Sequence, residues 1–336
     1  MTEALRIDGW DARLFAGSDS SDHGAQGLPA ARRFLASKHP VTIYHCGARW
    51  DEGMALLERA TGPVVVRDHN VTPPEFFSGV SDEFVDAAGQ GIAQRRRLAR
   101  DRRIAGFLAA SPRNSDDLCQ AGAAPERVRI VPPFHRAHEM TDLVPDEDAI
   151  RRWQRRPSVL FVGRIAPHKG HRRLLRIAAV YRELYGRPLP LRIVGGADPR
   201  LHRWTGRVEL DRARGADPDC VEFCGTVSQA ELKAAYLTAS LFLCCSEHEG
   251  FCVPLIEATQ FGVPIVATQE PGVATTLGES GMVIDDADEV VAAAVHRVLE
   301  DATLRERLVT AQRERVADSF SEGAIRTSLR RALAEI

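Results

Sequence analysis

Long apolar runs are missing from this 336-residue sequence. None approaches the ~20 residues that a helix needs to cross a bilayer. The opening, Met1-Thr2-Glu3-Ala4, shows no basic segment leading into an apolar stretch, so no signal peptide is read there. The expected location is therefore cytoplasmic. Net charge is nearly absent too: a formal value of -2 provides no global field for nucleic acid, and none is expected as a partner. Lysine is scarce. Only Lys38, Lys169 and Lys233 stand among the 44 basic residues, which makes the placement of each informative. The seven cysteines are an odd number, mostly inside apolar, strand-like runs. Cys220 and Cys224 flank Val221-Glu222-Phe223 with no second ligand pair elsewhere, so buried reduced thiols are expected rather than structural zinc. No Gly-x-Gly-x-x-Gly follows any strand-like run. Leu191-Arg192-Ile193-Val194-Gly195-Gly196 lacks the third glycine and the distal acid, which disfavours a nicotinamide oxidoreductase.

What is present points to two α/β domains. The length suits two, and a hydrophobic fraction of 44% with 27% charged residues is ordinary for a globular chain. Short β-rich runs alternate with helical patterns, as in parallel sheets with crossover helices. The first half places strands near Ala12–Ala16, Val41–His45, Pro63–Arg67, Ile104–Ala110 and Val128–Val131. The second half places them near Ser158–Val162, Leu191–Val194, Val221–Cys224, Leu241–Cys245, Pro264–Ala267 and Gly281–Ile284, with only helical pattern beyond. Leu174, Ile177, Tyr181 and Leu184 recur at helical spacing before Gly186 and Pro188. Ser228 and Glu231 form a capping box. The Pro-, Asp- and Arg-rich stretch Leu143–Pro157 reads as a linker. The expected fold class is α/β, with two Rossmann-like doubly wound domains facing a ligand cleft at the carboxyl ends of the strands. The expected domains are 1–145 and 146–320, followed by a helix at 321–336 that packs back toward the first domain.

Two segments carry chemistry. In Phe161-Val162-Gly163-Arg164-Ile165-Ala166-Pro167-His168-Lys169-Gly170 a strand ends at Gly163 and a helix begins after Gly170. Arg164 is a guanidinium fork and Lys169 a point charge, a pair suited to a diphosphate. The bland alternative is an ordinary loop with solvated charges. This is not a Walker loop, because the spacing and the Lys-Ser/Thr ending are wrong. The second segment is Ser246-Glu247-His248-Glu249-Gly250-Phe251-Cys252-Val253-Pro254-Leu255-Ile256-Glu257-Ala258. Gly250 permits close backbone approach, and Pro254 suits a first helical turn. The N–H groups of Phe251, Cys252 and Val253 would then form an anion site. Glu249 and Glu257 could each accept two hydroxyl hydrogen bonds from a sugar or ribose diol. The bland alternative for Glu257 is a helix-dipole acid, but its apolar neighbours Leu255, Ile256 and Ala258 disfavour a purely solvated role.

Together these segments, in this order, closely resemble the retaining glycosyltransferases of family 4, which have the GT-B fold. The resemblance covers Ser158–Phe320. It implies that Gly163, Arg164 and Lys169 bind the donor diphosphate and that Glu257 binds the ribose. It implies that Glu249 meets the transferred sugar with the backbone of Gly250, Phe251, Cys252 and Val253, and that the turn Cys224–Val227 meets the base. Arg164, Lys169, Glu249 and His69 are the implied catalytic residues. His69, in Val65-Val66-Arg67-Asp68-His69-Asn70, follows a strand as the family's acceptor-side histidine does, and His45 is a weaker candidate on the same edge. The resemblance also implies a metal-independent reaction with no cofactor, a UDP- or GDP-sugar as donor, and a hydroxyl acceptor.

The sequence departs from the family in three ways. Pro132-Pro133-Phe134 stands where Pro-Asn-Gly is common. The first strand and glycine-rich loop are read as missing before Ala12, which makes a non-catalytic nucleotide-sugar-binding subunit the alternative reading. The basic run Arg95–Arg103 suggests peripheral contact with the inner face of a membrane, against the simpler reading of a solvated helix face. A phosphorylase or glycogen-synthase relative is disfavoured by the short chain.

Overall fold

The computed structural model describes residues 1–17, 24–36, 39–215, 218–284 and 287–336. Lys38 lies outside the described residues. The chain forms two compact units, one of Met1–Pro73, Asp86–Phe134 and Glu322–Ile336, the other of Pro74–Val85 and His135–Ser321.

The first unit holds a parallel sheet of β1 (Thr42–Cys46), β2 (Val64–Asp68), β3 (Ile104–Ala109) and β4 (Val128–Ile130), in that spatial order. All five residues of β2 are buried, which explains its continuous apolar run: helices cover both of its faces. On one face Val65, Leu108 and Val131 form a cluster with Ile325, Leu329 and Ala332 of the helix Glu322–Ala334. The C-terminal residues thus belong to the first unit's core. The strand expected at Ala12–Ala16 does not form. Among the described residues Phe15 makes an isolated bridge with Gln26, and no strand there extends the ladder.

The second unit holds six parallel strands: β5 (Ser158–Val162), β6 (Leu191–Val194), β7 (Val221–Gly225), β8 (Ala239–Cys244), β9 (Ile265–Thr268) and β10 (Met282–Ile284). Their spatial order is β10-β9-β8-β5-β6-β7. This is the doubly wound order, and its reversal falls between β5 and β8. The stretch Leu143–Pro157 is not a bare linker. Asp146 accepts the Ala149 N–H at 2.7 Å and caps the helix Glu147–Gln154, whose Ala149 and Trp153 are buried in the core. Its acids are the first helical turn, and its apolar residues are one buried face. The capping box at Ser228 and Glu231 forms as read, as does the Gly186 stop.

All seven cysteines are thiols; Cys119 and Cys224 are half-buried and the other five are buried. Among the described residues, no helix is long and apolar enough to cross a membrane.

Candidate functional site

Ligands of doubly wound sheets sit at the carboxyl ends of the strands, where the strand order reverses. Here the loops leaving β5 and β8 meet at that point. They are the two segments singled out from sequence.

The loop after β5 is held by tight backbone packing. Gly170 has φ of +69°, and a Cβ there would overlap the carbonyl oxygen of Cys245. Gly195 has φ of +150°, and a Cβ there would overlap the Gly163 carbonyl oxygen. The Glu247 N–H donates to the His168 carbonyl at 2.8 Å, which ties the two loops together. Their side chains then pair: Lys169 Nζ donates to Glu249 Oε1 at 2.6 Å, across 80 positions of sequence. Burial disfavours the ammonium, but Glu249 with the neighbouring Cys252 and Cys244 outweighs it, and the Lys169 pKa is raised. The lysine side chain runs past Gly163, where an added Cβ would lie 3.8 Å from its Cδ. Arg164 is exposed at the same strand end.

Glu257 lies in the helix Val253–Gln260, half-buried, and Oε2 accepts the Tyr236 hydroxyl at 2.6 Å. Burial raises its pKa, and the tyrosine bond opposes that rise. The helix begins at Cys252, whose φ of 71° is unusual for a residue with a side chain. Phe251 is buried edge-to-face against Phe320, with centroids 5.0 Å apart, and its carbonyl accepts the Thr276 hydroxyl at 2.6 Å. Phe251 therefore anchors the loop. Val227 packs half-buried beside the core cluster that includes Cys252 and Tyr236. Gly250 is half-buried between Glu249 and Phe251.

Three residues escaped the sequence reading. Tyr236 sits in an Ala-rich helix and reads as plain core. Its hydroxyl partner on Glu257 is visible only in three dimensions. Glu270 is buried and caps the helix Pro271–Leu277, accepting the Val273 N–H at 2.9 Å. Gly272 then lies so close to the Glu249 carbonyl that a Cβ would overlap it, so this helix end supports the Glu249 backbone. The Glu-Pro pair at 270–271 was the available signal. His168 is buried, with its ring 6.2 Å from both Phe76 and Phe77. Its pKa is pushed down to about 2, by burial first and then by Lys169.

His69 belongs to the first unit. Its Nε2 lies 2.7 Å from His45 Nδ1, and the two rings stack at 4.9 Å. Both pKa values fall to about 4, through reduced solvation and then neighbouring charge: His69 and Arg67 for His45, Arg67 for His69. Both rings still meet solvent, which limits the first cause. Arg67 is buried and donates to the Val131 carbonyl. In the basic run, Arg95 turns inward to Asp68 and Asp117, each at 3.9 Å, while Arg97 pairs with Glu58 and Arg103 with Asp101.

The family model described as glycosyl transferases group 1 matches residues 146–315. A D-inositol 3-phosphate glycosyltransferase of Salinispora arenicola is 32% identical over 312 residues, covering 88% of this chain and 68% of that protein. The chain belongs to the glycosyl transferases group 1 family. A GDP-mannose-dependent alpha-mannosyltransferase of Mycolicibacterium smegmatis is 35% identical over 199 residues, covering 56% of this chain and 47% of that protein. The chain thus spans about half the length of the first curated relatives it matches. HepE of Anabaena, solved with UDP and glucose, superposes with a TM-score of 0.72 at 17% identity, covering 94% of this chain and 83% of that one. Sucrose-phosphate synthase of Thermosynechococcus elongatus does so with 0.72 at 21%, covering 99% and 91%. At these identities the likeness concerns the fold, which is GT-B.

Proposed function

We propose that this group 1 chain is a retaining glycosyltransferase. It would move a hexose-type sugar from a UDP- or GDP-sugar to a hydroxyl acceptor, in the cytoplasm and without a metal ion. The observation that carries the reading is the pairing of half-buried Lys169 with buried Glu249 at the point where the strand order reverses. A preformed cation beside an acceptor-only carboxylate suits a ligand that carries both phosphate and hydroxyl groups. The relatives' own names supply the candidates: GDP-mannose from the curated mannosyltransferase, and UDP with glucose from the HepE complex.

In this reading the anomeric carbon–oxygen bond to the nucleoside diphosphate breaks while the acceptor oxygen attacks from the same face. A leaving phosphate oxygen takes the acceptor's proton. Lys169 and Arg164 stabilise the charge that develops on the diphosphate, aided by backbone N–H groups near Phe251–Val253. Glu249 accepts hydroxyls of the sugar, Glu257 accepts the ribose diol, and Val227 lies on the base side. His69, in the first unit, is the residue proposed to act on the acceptor side. Peripheral membrane contact through Arg95–Arg103 has thinner support, since Arg95, Arg97 and Arg103 already have carboxylate partners.

The test is a calorimetric screen of nucleoside diphosphates and their sugars, followed by turnover assays of the bound donor. Selective binding of one nucleotide, weakened in Lys169→Ala and Glu257→Ala, supports the site. Lys169→Ala is expected to lower kcat by about 10²–10³-fold, the usual cost of losing one preorganised charge-stabilising group. Full turnover in that variant refutes the assignment.

A further inference from the structure

The sheet of the second unit carries a concave feature at the edge away from the Lys169 and Glu249 loops. Its strands are parallel, so all their amino ends lie together, opposite the loops that hold Lys169 and Glu249. At the amino ends of β5, β6 and β7 lies a cavity of about 520 Å³. That volume falls within the range of small-molecule sites.

The cavity is built around a buried cation. Arg192 is the second residue of β6, between Leu191 and Ile193, and only 2% exposed. A guanidinium inside an otherwise apolar strand is costly unless it is paired. Its Nε faces Glu222 Oε2 at 3.3 Å, its Nη1 donates to Thr238 Oγ1 at 3.1 Å, and its plane lies over the Trp153 ring at 4.4 Å. Glu222 is shared, since Oε1 also accepts the Trp153 indole N–H at 3.0 Å. Arg152, Arg156 and Arg212 line the same cavity, where the carboxylates among the described lining residues are Asp219 and Glu222; Arg212 also pairs with Glu209 at 3.2 Å, and Arg156 donates to the Asp219 carbonyl at 2.7 Å. Arg212 lies 5.7 Å from the centroid of Phe223, whose half-buried ring supplies a flat apolar surface on the wall.

Surface arginines are common in this chain, but they do not explain Arg192. A solvated charge has no reason to sit inside a strand. Guanidinium forks bind phosphate oxygens, and the half-buried ring of Phe223 on the wall suits an apolar or planar group attached to the phosphate. We infer that this cavity binds a small phosphorylated ligand, at a site separate from the donor site and independent of the activity proposed above.

The experiment titrates the full chain with inorganic phosphate, phenyl phosphate and phenol, by calorimetry and by tryptophan fluorescence. Each titration is repeated with Lys169→Ala and with an Arg156→Ala/Arg212→Ala double variant. These two arginines line the wall without being fully buried, so the double variant is expected to fold, checked by circular dichroism. Phenyl phosphate should bind tighter than inorganic phosphate, equally in wild type and Lys169→Ala, and roughly tenfold or more weakly in the double variant. Phenol should not bind. The proposal is overturned if no anion binds at millimolar concentration, if phenol binds as well as phenyl phosphate, or if the double variant binds unchanged. Loss of binding in Lys169→Ala would also overturn it, by assigning the anion to the donor loops and leaving the donor reading intact.

Discussion

Tyr236 and Glu257 show how one hydroxyl sets the behaviour of a carboxylate. Burial pushes the Glu257 carboxyl up, and the Tyr236 bond pulls it down. Tyr236→Phe removes that bond, so the carboxyl should protonate more readily and accept a ribose diol less well. Nucleoside diphosphate binding should weaken about threefold to tenfold at neutral pH, the effect of one lost hydrogen bond. Calorimetry checks this, and unchanged affinity would detach Glu257 from the ribose. His168 makes a prediction of opposite character. Its folded pKa of about 2, like the value of about 4 for buried His171, lies below the ordinary 6.5. As pH falls, the unfolded chain takes up these protons first. The associated stability is therefore complete above pH 6.5 and is lost as pH falls toward the folded values, by up to ~1.4 kcal/mol per pH unit for each ring. The urea midpoint should drop on acidification below that point. The drop should be shallower in His168→Gln, and equal slopes would contradict the sign and the residue.

At the scale of elements, the loops after β5 and β8 depend on backbone positions that tolerate no side chain. Gly170 combines φ of +69° with a Cβ direction that points into the Cys245 carbonyl. Gly170→Ala should cost about 3 kcal/mol or more of stability in the second unit, since strain and overlap act together. Denaturant unfolding measures this, and a loss under about 1 kcal/mol would show that the loop relaxes freely. Elements were legible where one cause dominated. Strands covered on both faces read as continuous apolar runs, and the Ser228 capping box and the Gly186 stop carry their own local chemistry. The reading failed where local pattern met a tertiary requirement. Ala12–Ala16 alternates plausibly, yet a strand needs a neighbour to pair with, and among the described residues only Phe15 finds one, in Gln26. Leu143–Pro157 is polar enough for a linker, yet Ala149 and Trp153 share a face that the core covers.

At the scale of the molecule, the chain's last helix completes the first unit's core rather than the core it follows in sequence. Leu329 is wholly buried beside Val65 and Leu108. Leu329→Ala should destabilise the first unit by about 2–5 kcal/mol and leave the second unaltered. Hydrogen exchange resolves the two: amides of β2–β4 should exchange faster while those of β5–β9 keep their protection. Faster exchange throughout both sheets would mean that the units unfold as one.

The sequence alone determined the alternation of strands and helices, the parallel sheets, the placing of Arg164, Lys169 and Glu249 in loops at strand ends, and that of Glu257 in the helix that follows. Each of these rests on local chemistry: apolar runs, caps, glycine, and charges at strand ends. Only the tertiary structure decided which distant groups pair. Lys169 and Glu249 meet because β5 and β8 are neighbours across the reversal in strand order. Tyr236 finds Glu257 because two helices share a core. Arg192 becomes the buried cation of a cavity because its strand lies between β5 and β7. Strand order is set by packing across the whole sheet, and no window of sequence contains it.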